Sequence, residues 1–233
     1  MPNKHPLVSF LVNSFNRLPL LQNLVRSFEI CNEYPNVEWV ISDYGSSDGS
    51  REFIENFAKM AGFEIRYLFQ DQTEYFESIR KRGLPVDTKA RVKGAMLAKF
   101  RNDLRELARG EYFVEVADDH QFIRNENWIE ELFEIYEHRE RARGHDDITC
   151  IVIYGYFRWR LDKPNNVRYP QENSDGVPYF VSRQKEYVDY NIMKRQTFEL
   201  IGEYYDPIRF VPGSPEWNMW KQSVSPMTHE TEY

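Results

Sequence analysis

Residues 7–17 read LVSFLVNSFNR, a short apolar run that changes abruptly into a polar loop. An apolar run as short as residues 7–12, followed by turn formers, predicts a buried β-strand. After the loop at 13–17, apolar residues recur at spacings of three and four, which predicts an amphipathic helix. The helix positions are Leu20, Leu21, Leu24, Val25 and Phe28.

The same alternation of strand and helix continues to about residue 70. Residues 37–42 predict a second strand that runs into the turn-rich segment 43–49. An amphipathic helix follows, and residues 63–69 predict a third strand. A β-α-β-α-β order predicts a parallel sheet with helices on its faces, whose ligands bind at the carboxyl ends of the strands. The loops at 13–17 and 43–49 are therefore the expected site.

The remainder of the chain continues this pattern less regularly. Residues 70–91 are interpreted as a loop or short insertion, and apolar residues between Val92 and Leu107 predict a helix that ends near Gly110. Residues 112–117 predict a fourth strand, which leads directly into Asp118, Asp119 and His120.

The second half shows neither a repeat nor a clear boundary. A strand is predicted over residues 149–159, a loop over 162–178 and a short helix over 195–201. The prediction is a single domain over residues 1–233. We expect its first half, 1–120, and its second half, 121–233, to bind different ligands.

Charge and composition limit the possible functions. The formal net charge is −7, which disfavours non-specific binding of nucleic acid or anionic lipid. Cys31 and Cys150 do not have the spacing of a metal site, and so few cysteines fit a reducing compartment. No apolar run reaches the roughly 18 residues of a membrane span, and the amino terminus lacks a signal-peptide pattern. A cytoplasmic location is therefore expected.

Four segments resemble family 2 glycosyltransferases in order and spacing. Residues 8–17 resemble the family's opening strand and its Pro-Thr-Tyr-Asn-Arg loop. Residues 40–50 resemble its Val-Asp-Asp-Gly-Ser-Thr-Asp-Gly-Thr segment, and residues 101–112 resemble its Ala-Arg-Asn helix and Ala-x-Gly-Glu-Tyr strand entry. Asp118 and Asp119 lie where the family has its Asp-x-Asp motif. The resemblance covers residues 7–130.

A weaker resemblance follows nearer the carboxyl terminus. Residues 201–206 are similar to the family's Gly-Gly-Phe-Asp-Glu segment, and residues 214–220 are similar to its Glu-Asp-Trp-Asp-Leu segment. The resemblance implies that Glu216 is the catalytic base, since the family places that base immediately before the tryptophan. An ordinary charge at a helix start is the alternative for Glu216, and Asp206 is then the next candidate base.

The resemblance implies an α/β fold of the GT-A type, a Rossmann-like, mixed and mostly parallel sheet flanked by helices. It also implies an enzyme that transfers a hexosyl or pentosyl group from a nucleoside diphosphate sugar, preferably a UDP-sugar, to an acceptor hydroxyl with inversion. A glycan or lipid-linked acceptor in polysaccharide biosynthesis is expected. A nucleic-acid acceptor is a weaker possibility, supported only by the basic segment at 80–93.

The expected nucleotide-sugar site combines several polar side chains. Asp43 matches the family residue that hydrogen-bonds the base, with a role as a loop cap as its alternative. Arg101 suits a diphosphate because a guanidinium matches phosphate geometry, although a solvated helix face is equally compatible with it. The other residues expected at this site are Asn13, Ser14, Asn16, Arg17 and Asp118.

A divalent cation, Mn²⁺ or Mg²⁺, is expected at Asp118 and Asp119. Such an ion prefers carboxylate oxygen atoms and can neutralise the charge on a departing diphosphate. The alternative is an acidic pair that caps a turn. His120 or His229 is a possible further ligand.

Departures from the family pattern bear on the nucleotide preference and on activity. Tyr44 replaces an acidic residue and Asn13 replaces a proline, and both positions concern the choice of nucleotide, for which UDP stays preferred. Ala117, which replaces the first Asp of the metal motif, and the Pro215-Glu216 substitution favour a catalytically inactive sugar- or nucleotide-binding module. A sugar nucleotidyltransferase is disfavoured, because residues 13–17 contain no glycine for a phosphate loop.

Overall fold

The computed structural model describes residues 5–81, 89–123, 127–143, 150–152, 171–174, 177–180 and 191–201. Strands and helices alternate through the first half of the chain, as the apolar pattern predicts. In chain order the elements are β1 (Val8–Ser14), α1 (Leu18–Cys31), β2 (Val37–Asp43), α2 (Ser50–Met60), β3 (Glu64–Phe69), α3 (Gln72–Lys81), α4 (Lys89–Leu107), β4 (Tyr112–Ala117), α5 (Trp128–Arg143), β5 (Cys150–Val152), β6 (Gln171–Ser174), β7 (Val177–Phe180), β8 (Asn191–Lys194) and α6 (Arg195–Ile201).

Within the described residues, six strands form the main sheet, in the order β3-β2-β1-β4-β8-β5. The neighbours among β1, β2, β3 and β4 pair in parallel, whereas β8 runs antiparallel to both β4 and β5. β6 and β7 form a separate antiparallel pair. The predicted mixed, mostly parallel sheet flanked by helices is confirmed.

One face of the sheet is covered by α1, α2 and α5 around a cluster of aromatic rings. Phe10 of β1 lies at the centre, with its ring centroid 4.8 Å from that of Phe28 and 5.8 Å from that of Trp39. All three side chains are buried. β1 and β2 are buried along almost their whole length, as expected for parallel strands with helices on both faces.

The opposite face is covered by α3 and α4, and here one sequence prediction is wrong. Residues 70–91 are not simply a loop, because α3 occupies Gln72–Lys81 and α4 begins at Lys89. Tyr75 of α3 is buried against Phe100 of α4. This tertiary contact stabilises a helix that the spacing of apolar residues in the sequence predicts only weakly. Glu74 in the first turn of α3 and the basic residues in its last turn also suit the helix dipole.

The amino-terminal ends of the strands are joined by a buried carboxylate. Glu38 of β2 accepts hydrogen bonds from the hydroxyl of Ser9, at 2.6 Å, and from the backbone N–H groups of Arg109 and Gly110. Residue 110 must be glycine at this distance, because a Cβ there would lie 2.7 Å from the backbone nitrogen of Ser9. This cluster holds the turn before β4 against β1 and β2.

The second half agrees with the sequence predictions only in part. The helix predicted over residues 195–201 is confirmed as α6, but the loop predicted over 162–178 is wrong where it contains β6 and the start of β7. Of the strand predicted over 149–159, the structure describes residues 150–152, which form β5. No helix within the described ranges combines the length and apolar character that a bilayer crossing requires.

Candidate functional site

The carboxyl ends of three adjacent strands bring the predicted polar residues together. In the sheet register, Ser14 of β1 lies opposite Asp43 of β2, and Asn13 lies opposite Ala117 of β4. Asp118 and Asp119 follow β4 directly. The loops after β1 and β2 and the acidic pair after β4 therefore share one edge of the sheet, as the sequence predicted.

The loops after β1 and β2 are tied to each other by side-chain hydrogen bonds. The backbone N–H of Asn16 donates to Ser46 Oγ at 2.8 Å, and the backbone N–H of Ser47 donates to Asn16 Oδ1 at 2.8 Å. Asn16 has a φ of 50°, in the left-handed region that asparagine tolerates better than most residues. Asn16 thus fixes the shape of the predicted nucleotide site.

Asp48 forms a third link between these loops. Its Oδ2 accepts a hydrogen bond from the backbone N–H of Leu18 at 2.8 Å and so satisfies the first turn of α1. Its Oδ1 accepts hydrogen bonds from the backbone and hydroxyl of Ser50. Desolvation raises the pKa of Asp48, but the hydrogen bonds from Ser50 and Leu18 outweigh it, so the pKa lies below its ordinary value.

Asp48→Ala should lower the free energy of unfolding by about 1 kcal/mol at pH 7, the usual contribution of a helix-capping side chain. Because the pKa is depressed in the folded protein, this contribution is present above the unfolded-state pKa of about 3.9 and is lost as the pH falls through the folded-state pKa. Denaturant unfolding at a series of pH values measures the difference. Glu29→Ala, at an exposed position of α1, is the control and should change stability by less than about 0.5 kcal/mol.

Asp43 is buried and engaged within its own loop. Its Oδ1 accepts hydrogen bonds from the backbone N–H groups of Gly45, at 3.1 Å, and Ser46, at 3.0 Å, and its Oδ2 accepts one from the hydroxyl of Ser46. Gly45 has a φ of 85°, which the turn requires. The loop-cap role considered for Asp43 is therefore present, and its contact with a base stays a prediction.

Two departures from the family pattern contact each other. The hydroxyl of Tyr44 donates a hydrogen bond to Oδ1 of Asn13. The Tyr44 ring is buried and stacks on Phe100, with 19° between the ring planes. Burial raises the pKa of Tyr44 well above its ordinary value, so the hydroxyl stays neutral and remains a donor. Sequence analysis noted both replacements but missed this contact, because only the strand register brings them together.

Arg101 lies on the sheet-facing side of α4, beside a carboxylate that sequence analysis did not single out. Its Nε is 3.9 Å from Oε2 of Glu115 in β4, and Nη2 of Arg105 is 3.0 Å from Oε1 of the same residue. Arg101 is only 20% exposed and so does not lie on a solvated helix face. Its contact with a diphosphate stays a prediction.

The acidic pair after β4 is bridged by Arg17. Nη1 of Arg17 is 3.2 Å from Oδ1 of Asp118 and 3.1 Å from Oδ2 of Asp119. Asp118 is buried, and burial raises its pKa above the ordinary value, while nearby Ser14 and Arg17 act in the opposite direction. The ring of His120 turns back to its own strand, with Nδ1 3.0 Å from the backbone oxygen of Ala117 and 4.0 Å from Oδ1 of Asp119.

The acidic pair provides the protein part of a ligand set that a divalent cation can use. Among the described residues there is no cluster of three His, Cys, Asp or Glu side chains that could enclose a metal. The oxygen atoms of Asp118 and Asp119 nevertheless converge on a single positively charged atom of Arg17. Mg²⁺ is commonly held by one or two carboxylates together with substrate phosphates, and this donor set meets that requirement. Glu216 and His229 lie outside the described residues.

Comparison with known proteins gives a family match for the segment that contains the loops after β1 and β2. Residues 9–86 match the family model described as glycosyl transferase family 2. The predicted family resemblance is confirmed. The matched segment contains β1, β2 and both loops of the site, whereas Asp118 and Asp119 lie beyond it. No curated protein matches the chain at the level of sequence.

Solved structures share the fold. A mannosyltransferase from Pyrobaculum calidifontis, in complex with GDP-Man and Mn²⁺, superposes with a TM-score of 0.52 at 14% identity, over 88% of this chain and 49% of that one. Residues 1–349 of TarS from S. aureus superpose with a TM-score of 0.50 at 17% identity, over 93% and 54%. The chain spans about half the length of these proteins. Its fold is of the GT-A type, as predicted.

Proposed function

We propose that the chain is a glycosyltransferase that moves a hexosyl or pentosyl group from a nucleoside diphosphate sugar to an acceptor hydroxyl, with inversion. The observation that carries this proposal is the convergence of Asp118 and Asp119 on one cation position beside the loops after β1 and β2. Phosphate groups and hard cations suit such a strand-end site. The family match over residues 9–86 supports the same chemistry.

The donor binds across the loops after β1 and β2, with the base near Asp43 and the diphosphate towards Asp118 and Arg101. UDP-sugars are the preferred donors, and the GDP-Man complex of the mannosyltransferase makes GDP-sugars the first comparison to include. The hydrogen-bonded pair of Asn13 and Tyr44 borders this region. We assign donor binding to residues 1–120 and acceptor binding to residues 121–233.

The metal proposal rests on Asp118 and Asp119 as ligands of Mn²⁺ or Mg²⁺. A cation held there would neutralise the charge that develops on the departing diphosphate. Glu216, by its resemblance to the family base, removes the proton from the acceptor hydroxyl. The acceptor is proposed to be a glycan or a lipid-linked glycan, and the setting polysaccharide biosynthesis in the cytoplasm.

A catalytically inactive nucleotide-binding module is the second candidate. Two observations favour it, namely that Ala117 lacks the first carboxylate of the family motif and that Arg17 already pairs with both remaining carboxylates. Such a module would bind a nucleotide sugar without hydrolysing or transferring it.

Thermal unfolding with nucleotides and Mn²⁺ tests the proposed function. UDP or a UDP-sugar with Mn²⁺ should raise the melting temperature, because a ligand at a hundred times its Kd adds about 2.7 kcal/mol to stability. Asp43→Asn, which retains the shape of the loop cap, should reduce that shift. GDP and ADP are the comparison nucleotides. If none of the nucleotides moves the melting curve, the donor site is wrong, and a shift without donor hydrolysis or transfer would favour the inactive module.

A further inference from the structure

Among the described residues, two carboxylates hold the Arg17 guanidinium in its position. One nitrogen atom, Nη1, lies within 3.2 Å of an oxygen atom of Asp118 and of Asp119. The Arg17 side chain is 50% exposed, so it can leave this position without opening the core. Its backbone carbonyl accepts hydrogen bonds from the N–H groups of Leu20 and Leu21 at 3.0 Å, which anchors the residue at the start of α1.

We propose that Arg17 occupies the cation position of the acidic pair until the donor binds, and that it then exchanges this position for a contact with the donor diphosphate. The inference rests on the proposed metal-dependent function. Mg²⁺ lies about 2.0–2.1 Å from its oxygen ligands, so it cannot share Asp118 Oδ1 and Asp119 Oδ2 with a guanidinium nitrogen lying between them. The two positive charges would also repel each other.

The diphosphate provides the second partner of Arg17. Arg17 belongs to the loop between β1 and α1, which is one of the loops where the donor is expected, and guanidinium groups bind phosphate oxygen atoms in bidentate pairs. Without nucleotide, a metal ion must displace Arg17 and leave its charge unpaired. When the nucleotide is also bound, its diphosphate pairs with the charge of Arg17. Metal and nucleoside diphosphate therefore bind cooperatively, and each increases the affinity of the other by the same factor.

The exchange involves a side chain and leaves the backbone in place. Asn16 and Asp48 hold the loop on both sides of Arg17 through hydrogen bonds to Ser47 and Leu18. The carbonyl of Arg17 remains in the first turn of α1. Arg17 therefore couples metal binding to donor binding.

Binding of Mn²⁺ to the full chain, measured by electron paramagnetic resonance of the free ion, tests this role. Arg17→Gln should bind Mn²⁺ alone about tenfold more tightly than the wild type, because the competing charge is gone. UDP, after correction for its own chelation of Mn²⁺ by a titration without protein, should strengthen Mn²⁺ binding in the wild type and much less in Arg17→Gln. Arg141→Gln removes the same charge from an exposed ion pair of α5 and should behave as the wild type does.

The outcomes separate this inference from the proposed function. Equal Mn²⁺ affinities for wild type and Arg17→Gln, together with loss of binding in Asp119→Asn, would overturn the exchange proposed for Arg17. The same result would support Asp118 and Asp119 as the metal site. An equal gain in affinity for Arg141→Gln would also overturn it, since net charge alone would then explain the effect. If no variant binds Mn²⁺ even with UDP present, the exchange and the metal-dependent function both fail.

Discussion

Asp119→Asn should abolish divalent-dependent glycosyl transfer, with a loss of about a thousandfold or more, while the protein stays folded. Metal ions contribute several kcal/mol to stabilisation of a charged transition state, and an amide is a poor replacement for a carboxylate ligand of a hard cation. The Asp119 side chain is 50% exposed beyond the end of β4, so the substitution removes little packing. Initial rates across a Mn²⁺ titration, with unfolding curves for the same preparations, measure both effects.

The matched control for this experiment is Asp71→Asn. Asp71 caps the start of α3 through a hydrogen bond from the backbone N–H of Thr73, which an asparagine also accepts. The Asp71→Asn variant should therefore retain both activity and stability. A wild-type enzyme that keeps its rate in the presence of a chelator would contradict the assignment of Asp119 as a metal ligand.

Glu38→Ala should lower the free energy of unfolding by about 2–4 kcal/mol, because two hydrogen-bond donors lose their acceptor at a cost of about 1–3 kcal/mol each. Glu38 is 1% exposed. Its loss leaves the Ser9 hydroxyl and the backbone N–H of Arg109 without the acceptor that they share, and donors that lose their partner away from water are costly. It also removes the ion pair with Arg109, whose Nε lies 3.5 Å from Oε2.

Comparison with Glu64→Ala distinguishes the stability that comes from burial of a carboxylate from the stability that comes from its charge. Glu64 pairs with the same Arg109, but its side chain is 51% exposed, so its removal should cost less than about 1 kcal/mol. Urea unfolding of both variants at pH 7 gives the comparison. If Glu38→Ala were no more destabilising than Glu64→Ala, the buried cluster would not stabilise the turn before β4.

The parallel half of the sheet could be predicted from sequence because its strands are short apolar runs ending in polar loops. Residues 7–12 and 37–42 are buried on both faces, and this type of burial leaves a clear pattern. Helix α3 escaped prediction, because its stability depends on the contact of Tyr75 with Phe100, which lies 25 residues further along the chain. The short strand β6 and the start of β7 escaped for a similar reason, since these strands are defined mainly by pairing with each other.

The sequence predicts which strand ends form the candidate site. It does not predict the contacts between the side chains that meet there. The position of Asp118 and Asp119 follows from the end of β4, and the rule that ligands bind at strand ends then locates the site. The bridge from Arg17 and the bond between Asn13 and Tyr44 join segments that are distant in the chain. Both depend on the strand order that puts β1 between β2 and β4, which residue types alone do not specify.

The hydrogen bonds that join the loops after β1 and β2 affect how quickly a ligand can bind. Asn16 and Asp48 order these loops during folding, so most of the conformational entropy of the site is lost before any ligand arrives. A preorganised site spares the ligand that cost, and within the described loops the proposed exchange moves one side chain, that of Arg17. Side-chain rotations of exposed residues take picoseconds to nanoseconds, far less than loop closure. Association with a nucleotide should accordingly be limited by diffusion and orientation rather than by a conformational step.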